Sequence, residues 1–224
     1  MKKTLTFLKK IKKNNNTQWM QGHKSEYLEA RKEFEFLVQE IIVRLSQWDD
    51  RFGTLEPKDC IFRFNRDIRF SDNKNPYKEN FAAFFGMGGK KSTLPGYYVS
   101  ISPNEVFAGG GVWRPEADKL QLVRRYILEN GDELKKIVTS KSFKKTFGGL
   151  SDEDTLKRVP RGFDADHPFA DFVKLKSFIA SKDFSVKEAT EKGFGQKIDK
   201  VFRELKPLND FLTIPLRRMN PQQA

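Results

Sequence analysis

Gly96-Tyr97-Tyr98-Val99-Ser100-Ile101, then Ser102-Pro103-Asn104-Glu105, then Val106-Phe107-Ala108, is the stretch on which the reading of the fold turns. Two runs rich in aromatic and β-branched residues flank four turn-forming residues, and this pattern predicts a hairpin of antiparallel strands. Toward the N-terminus, Cys60-Ile61-Phe62-Arg63-Phe64 alternates with period two and reads as a further strand. Continued through residue 70, that strand would place Arg63, Asn65, Asp67 and Arg69 on one face. Phe62, Phe64, Ile68 and Phe70 would occupy the other, interrupted by Arg66.

Helical spacing takes over on both sides of these strands. Phe34, Leu37, Val38, Ile41, Ile42, Leu45 and Trp48 predict a helix over about residues 25–48. Before it, Leu5, Phe7, Leu8 and Ile11 make the apolar stripe of a short helix with a lysine-rich back, ended by the turn-like Asn14-Asn15-Asn16-Thr17. After the hairpin, Pro115 suits the first turn of a helix carrying Leu120, Val123 and Ile127, closed by Asn130-Gly131, and a shorter helix holds Leu134, Ile137 and Val138. Pro168 opens another with Phe169, Phe172, Val173 and Leu175. Ile198, Val201, Phe202, Leu205, Leu208 and Phe211 mark a last helix, with Pro207 as the place for a kink. The expected fold is α+β, a central, mostly antiparallel sheet flanked by N-terminal and C-terminal helices. Residues 1–224 read as a single domain: a helical segment to about residue 50, strands from about 58 to 112, and a helical part from about 113 to 220.

The composition fits a packed core. Of 224 residues, 38% are hydrophobic, and 21 Phe, 5 Tyr and 3 Trp carry far more burial capacity than a disordered chain holds. One Cys excludes a disulfide framework, and one Cys with two His completes no zinc site without carboxylate ligands. No apolar run approaches the roughly 18–20 residues of a membrane span or the roughly 7–15 of a signal-peptide core, so the expected location is the cytoplasm. Lys and Arg number 42 against 30 acids, a net charge of +12, which calls for anionic partners.

The densest polar stretch, residues 63–78, brings Arg63, Arg66, Arg69, Lys74 and Lys78 together with Asp67 and Tyr77. Guanidinium groups offer planar donor forks to phosphate or carboxylate, and Asp67 between arginines can orient one of them. The competing reading is a loop tied down by ion pairs. A second basic cluster, Leu156-Lys157-Arg158-Val159-Pro160-Arg161-Gly162-Phe163-Asp164-Ala165-Asp166-His167-Pro168, forms a defined loop before a helix. There His167 is a candidate proton-transfer group, with helix capping by Asp166 or His167 as the alternative. Asp164, Asp166 and His167 carry no recognised metal-ligand spacing, and no metal site is expected. Gly86-Met87-Gly88-Gly89-Lys90-Lys91-Ser92-Thr93 fails the P-loop pattern. Neither histidine lies in a nucleophile-elbow setting, which argues against a hydrolytic triad.

Four blocks carry a resemblance across most of the chain: Asn14-Asn15-Asn16-Thr17-Gln18-Trp19 with His23-Lys24 and Tyr27; Arg66-Asp67-Ile68-Arg69-Phe70-Ser71 with Lys74-Asn75-Pro76-Tyr77-Lys78; Gly111-Val112-Trp113-Arg114-Pro115; and Leu156 to Phe163 with His167-Pro168. Together they resemble an uncharacterised family of bacterial and fungal proteins, domain of unknown function 2461. The sequence departs from the family pattern at Asn73, where an Asp usually precedes the Lys; Asp72 lies one position earlier. The resemblance implies an α+β domain and weight on those blocks. It names no reaction and no cofactor.

The leading expectation is an anionic, phosphate-bearing small ligand held in a pocket by Arg63, Arg66, Arg69, Lys74, Lys78, Arg158 and Arg161, with Tyr77 and Trp113 as a wall or stacking surface. Catalysis would add Asp67 or His167 as general acid or base. The rival is a nucleic-acid-binding or protein-interaction module using the basic N-terminal helix. A concave arginine cluster favours the first, and a convex basic surface with exposed aromatics favours the second.

Overall fold

A computed structural model describes residues 1–217 of the chain. The elements in chain order are α1 (Lys2–Lys13), α2 (Thr17–Gly22), α3 (Lys24–Ser46), α4 (Pro57–Cys60), β1 (Phe81–Phe85), β2 (Gly96–Ile101), β3 (Val106–Val112), α5 (Ala117–Thr139), α6 (Lys141–Phe147), α7 (Ala170–Val173), β4 (Phe178–Phe184) and α8 (Phe194–Arg217). The strands form one four-stranded antiparallel sheet in the order β1-β2-β3-β4, with helices at both ends of the chain, so the fold is α+β. The β2–β3 hairpin lies where the sequence places it, its turn closed by Ser102, whose amide donates to the Glu105 carbonyl at 2.9 Å. β4 falls outside the span read as strands from sequence.

The strand expected at residues 60–70 does not form. Pro57 at the first helical position and reciprocal bonds between Glu56 and Asp59 wind residues 57–60 into a helical turn instead. Beyond it only isolated antiparallel bridges appear, Ile61 with Ala83 and Asn65 with Tyr77. Pro76 has no N–H for a ladder, and the Asp67 carboxylate takes the Arg69 amide at 3.3 Å, a local bond that competes with strand pairing. The expected apolar face fails with it: Phe64 is 3% exposed but Phe70 is 96% exposed.

The chain builds two compact units. The first comprises Met1–Lys91, Tyr98–Ala108 and Asp183–Lys200. In it, α1 lies on α3 with Leu5, Phe7, Leu8 and Ile11 buried. The lysines of α1 face outward, and two of them pair with α3 in exposed bridges, Lys3 with Glu29 and Lys10 with Glu26. Such pairs add little stability; the apolar stripe holds the helix. Phe81 of β1 is the hub of an aromatic core, its ring centroid 5.0 Å from Phe64, 5.5 Å from Phe34 and 6.5 Å from Phe7.

The second unit comprises, among the described residues, Ser92–Tyr97, Gly109–Lys182 and Val201–Arg217. Here α5 packs with α6 and α7 and is broken at Asn130, which has non-helical φ −128° and ψ 21°. Asn130-Gly131 therefore interrupts the apolar run as expected from sequence, and Gly131 admits the Phe169 ring to within 2.2 Å of where a Cβ would stand. Tyr97 stacks on Phe202 at 4.8 Å, and Tyr126 meets Phe211 at 5.0 Å. Residues 151–156 run beside 174–179, joined by amide-to-carbonyl bonds from Ser151 to Ile179 and from Leu156 to Lys174. Among the described residues, no helix is long and apolar enough to cross a membrane.

Candidate functional site

Residues 61–83 fold back on themselves as an irregular hairpin at the edge of the first unit's core. Phe62 and Lys78 donate their amides to the carbonyls of Ala82 and Phe64, and Arg66 donates its amide to Pro76 at 2.8 Å. Phe64 anchors the base, stacked on Tyr77 at 5.8 Å as well as on Phe81. The asparagine triplet then does three separate jobs. Asn14 caps the end of α1, donating its side-chain amide to the Lys10 carbonyl at 3.0 Å. Asn16 caps the start of α2, accepting the Trp19 amide at 2.9 Å. Between them Asn15 imitates a strand partner for Tyr77: Oδ1 accepts the Tyr77 amide and Nδ2 donates to the Tyr77 carbonyl, both at 3.0 Å.

All six unit-one residues expected to contact a ligand, Arg63, Arg66, Arg69, Lys74, Tyr77 and Lys78, lie on this hairpin, but they divide by role. Arg66 and Lys74 are framework. Arg66 donates to the Asn75 carbonyl and the Ser71 hydroxyl, each at 3.2 Å, and Lys74 donates to the Ile68 carbonyl at 3.2 Å. Arg69 is gripped by Asp67 through a two-point fork, 2.7 and 3.0 Å, yet its side chain stays 75% exposed. That fork holds the Asp67 carboxyl below its usual value and raises Arg69. Asp67 thus stays ionised, which suits orientation more than proton transfer. Arg63 is exposed and donates no hydrogen bond to any described residue. Lys78 is half-buried, its Nζ 5.3 Å from the centre of the Phe62 ring, and no carboxylate among the described residues pairs with it. Burial first, and then the positive charge of Arg63, push its pKa below the ordinary 10.5.

The remaining candidates lie in the second unit. Trp113 is 67% exposed, with the Arg114 guanidinium 5.2 Å from its ring centre. Arg114 is held in turn by the Asp154 carboxylate, while Lys176 approaches the same carboxylate at 3.7 Å. Arg114 is also the one described non-glycine residue with positive φ, 42°, and its amide donates to Ser177 Oγ at 3.0 Å. Strain of this kind persists only where surrounding bonds impose it. Gly111, three residues earlier, has φ 115°. Arg114 and Asp154 were not among the residues singled out from sequence. The block around Trp113 offered a cue for the first; nothing local marks the second, forty positions away in the chain. Arg158 and Arg161 are exposed and donate no side-chain hydrogen bond to a described residue. His167 accepts the Phe169 amide on Nδ1 at 3.2 Å, and its carbonyl accepts the Ala170 amide at 2.9 Å, so it fixes the approach to α7. In the neutral ring the proton then sits on Nε2.

Two clefts open within the units. One, of 230 Å³, is lined by Lys12, Glu79, Asn80 and the Ser100–Glu105 turn. The other, of 480 Å³, is lined by Val138, Leu150, Leu156, Phe172 and Leu175 together with Asp152, Lys157, Asp171 and Lys174. Neither is lined by an arginine. The lone Cys60 is buried and its thiol is pushed up to about 12, which leaves no thiolate for chemistry at neutral pH. Among the described residues, no three His, Cys, Asp or Glu side chains gather as metal ligands.

Comparison with known proteins returns no match among curated proteins and none among solved structures. A family model does match, over residues 3–211, and that span holds the asparagine triplet, the basic hairpin, the strained Trp-Arg pair and the Arg158–His167 loop. The chain belongs to the conserved hypothetical protein family DUF2461.

Proposed function

We propose that this is a cytoplasmic protein that binds phosphate-bearing ligands on the hairpin of residues 61–83. The observation that carries the reading is Lys78, half-buried with its Nζ 5.3 Å from the centre of the Phe62 ring and paired with no carboxylate among the described residues, on the same hairpin as the exposed Arg63, which donates to none of them. A cation so placed is relieved by an incoming anion, and here that relief coincides with half-burial, where a charge-assisted bond is stronger than in open water. Arg66 and Lys74 support it differently. Their bonds into the loop fix its shape before a ligand arrives, which lowers the ordering cost of binding. Because Asp67 and His167 are both engaged in holding backbone, recognition fits the geometry better than proton transfer.

The test is calorimetric titration with inorganic tripolyphosphate against the wild type and the Arg63→Ala/Lys78→Ala double variant. Removing two charge-assisted contacts should weaken binding by about 3 kcal/mol, on the order of a hundredfold, with little change in fold stability. Equal affinity in the two proteins would refute the site.

A further inference from the structure

The same constellation occurs once in each unit: a carboxylate grips an arginine, and that guanidinium lies by an aromatic ring left in solvent. In the first unit Asp67 holds Arg69, whose guanidinium carbon is 5.7 Å from the centre of the Phe70 ring. In the second, Asp154 holds Arg114, 5.2 Å from the centre of the Trp113 ring. Phe70 is 96% exposed and Trp113 67% exposed. Each ring therefore keeps an open face in solvent. The carboxylate's bonds favour the arginine's position beside the ring.

We infer that Phe70 and Trp113 are stacking platforms for unpaired nucleobases, each ring flanked by its carboxylate-held arginine and offering a face to a base of single-stranded nucleic acid. The inference rests on the phosphate-binding reading above and names its ligand class. Base stacking on an aromatic ring needs one open π-face and tolerates any base, and cations alongside take the backbone phosphates. Beside Phe70 the cation is Arg69, and Arg63 and Lys78 lie on the same hairpin, in a chain of net charge +12. A membrane surface fits less well. Phe70 is followed by Ser71, Asp72 and Asn73, so a single apolar side chain would enter the lipid with a carboxylate beside it.

The experiment measures binding of the full chain to short oligodeoxythymidylate and to an abasic strand of the same length, which keeps the phosphates and lacks the bases. Phe70→Ala and Trp113→Ala should each weaken oligodeoxythymidylate binding by about ten- to a hundredfold, the range for loss of one stacked base, and leave abasic binding unchanged. Tryptophan fluorescence should fall on titration in the wild type, and the part of that fall due to Trp113 should vanish in Trp113→Ala. If the wild type binds both strands equally while Arg63→Ala/Lys78→Ala weakens both, the platforms are wrong and phosphate binding stands. If the double variant changes neither, the phosphate reading has failed and the platforms fall with it. Loss of binding to phosphatidylserine vesicles, with oligonucleotide binding intact, in Phe70→Ala and Trp113→Ala would overturn the inference in favour of a lipid surface.

Discussion

Gly111→Ala should destabilise the protein by about 3 kcal/mol or more, the sum of a left-handed backbone imposed on an L side chain and a clash that cannot relax. At φ 115° a Cβ on residue 111 would stand 2.0 Å from the Phe178 carbonyl oxygen and 3.0 Å from the Ile179 Cα. These are backbone atoms of β4, the strand paired with β3, and moving them means opening the sheet. The loss should extend to Trp113 and Arg114, because Gly111 sets the path by which β3 delivers them. Denaturant melts followed by tryptophan fluorescence would measure both. A Gly111→Ala protein as stable as wild type would show that β3 and β4 do not approach as described.

Asn15→Ala should cost about 2 kcal/mol, because it leaves one donor and one acceptor of Tyr77 without their partner in a half-buried setting. The change is remote in sequence from the basic hairpin but is its only side-chain clasp from the α1–α2 turn among the described residues. Affinity for tripolyphosphate should therefore fall as well, through a looser loop rather than a lost contact. Asn15→Asp separates the two groups: it keeps an acceptor for the Tyr77 amide and sets a carboxylate oxygen against the Tyr77 carbonyl, so it should not restore stability. Chemical denaturation of both variants checks the pair. An unaltered unfolding midpoint in Asn15→Ala would mean that water replaces the clasp at no cost.

The parts of the fold legible in the sequence are those where one local rule acts alone. The hairpin at residues 96–108 has both a strand composition and a four-residue turn, and the stripes of α1, α3 and α8 bury as their spacing requires. Strand β1 was not legible, because Phe81-Ala82-Ala83-Phe84-Phe85 is apolar throughout and its period carries no information. Residues 60–70 show the opposite failure. Their alternation is real, yet a proline-led turn at one end and side-chain bonds at the other claim the backbone first. In the candidate site, composition marked the basic hairpin but did not distinguish Arg66, spent on the loop, from Arg63, left in solvent. That division depends on the Asn75 carbonyl and the Ser71 hydroxyl that take the Arg66 guanidinium, whose direction no residue pattern reveals. The pairing of Arg114 with Asp154 was hidden for the same reason, since it is made by the fold and not by spacing.

Phosphate recognition by the hairpin is tested most directly by the titration of Lys78 itself, followed by NMR of its ε-carbon with and without saturating tripolyphosphate. In the free protein burial and Arg63 disfavour the charged form, so Lys78 should titrate below 10.5. A depressed lysine pKa means that its contribution to stability improves as pH rises through the folded midpoint toward the unfolded value. A bound phosphate reverses the sign, favouring the charged ammonium, and should move the midpoint upward with uptake of a proton at alkaline pH. A Lys78 midpoint that stays in place under saturating tripolyphosphate would contradict recognition at this hairpin.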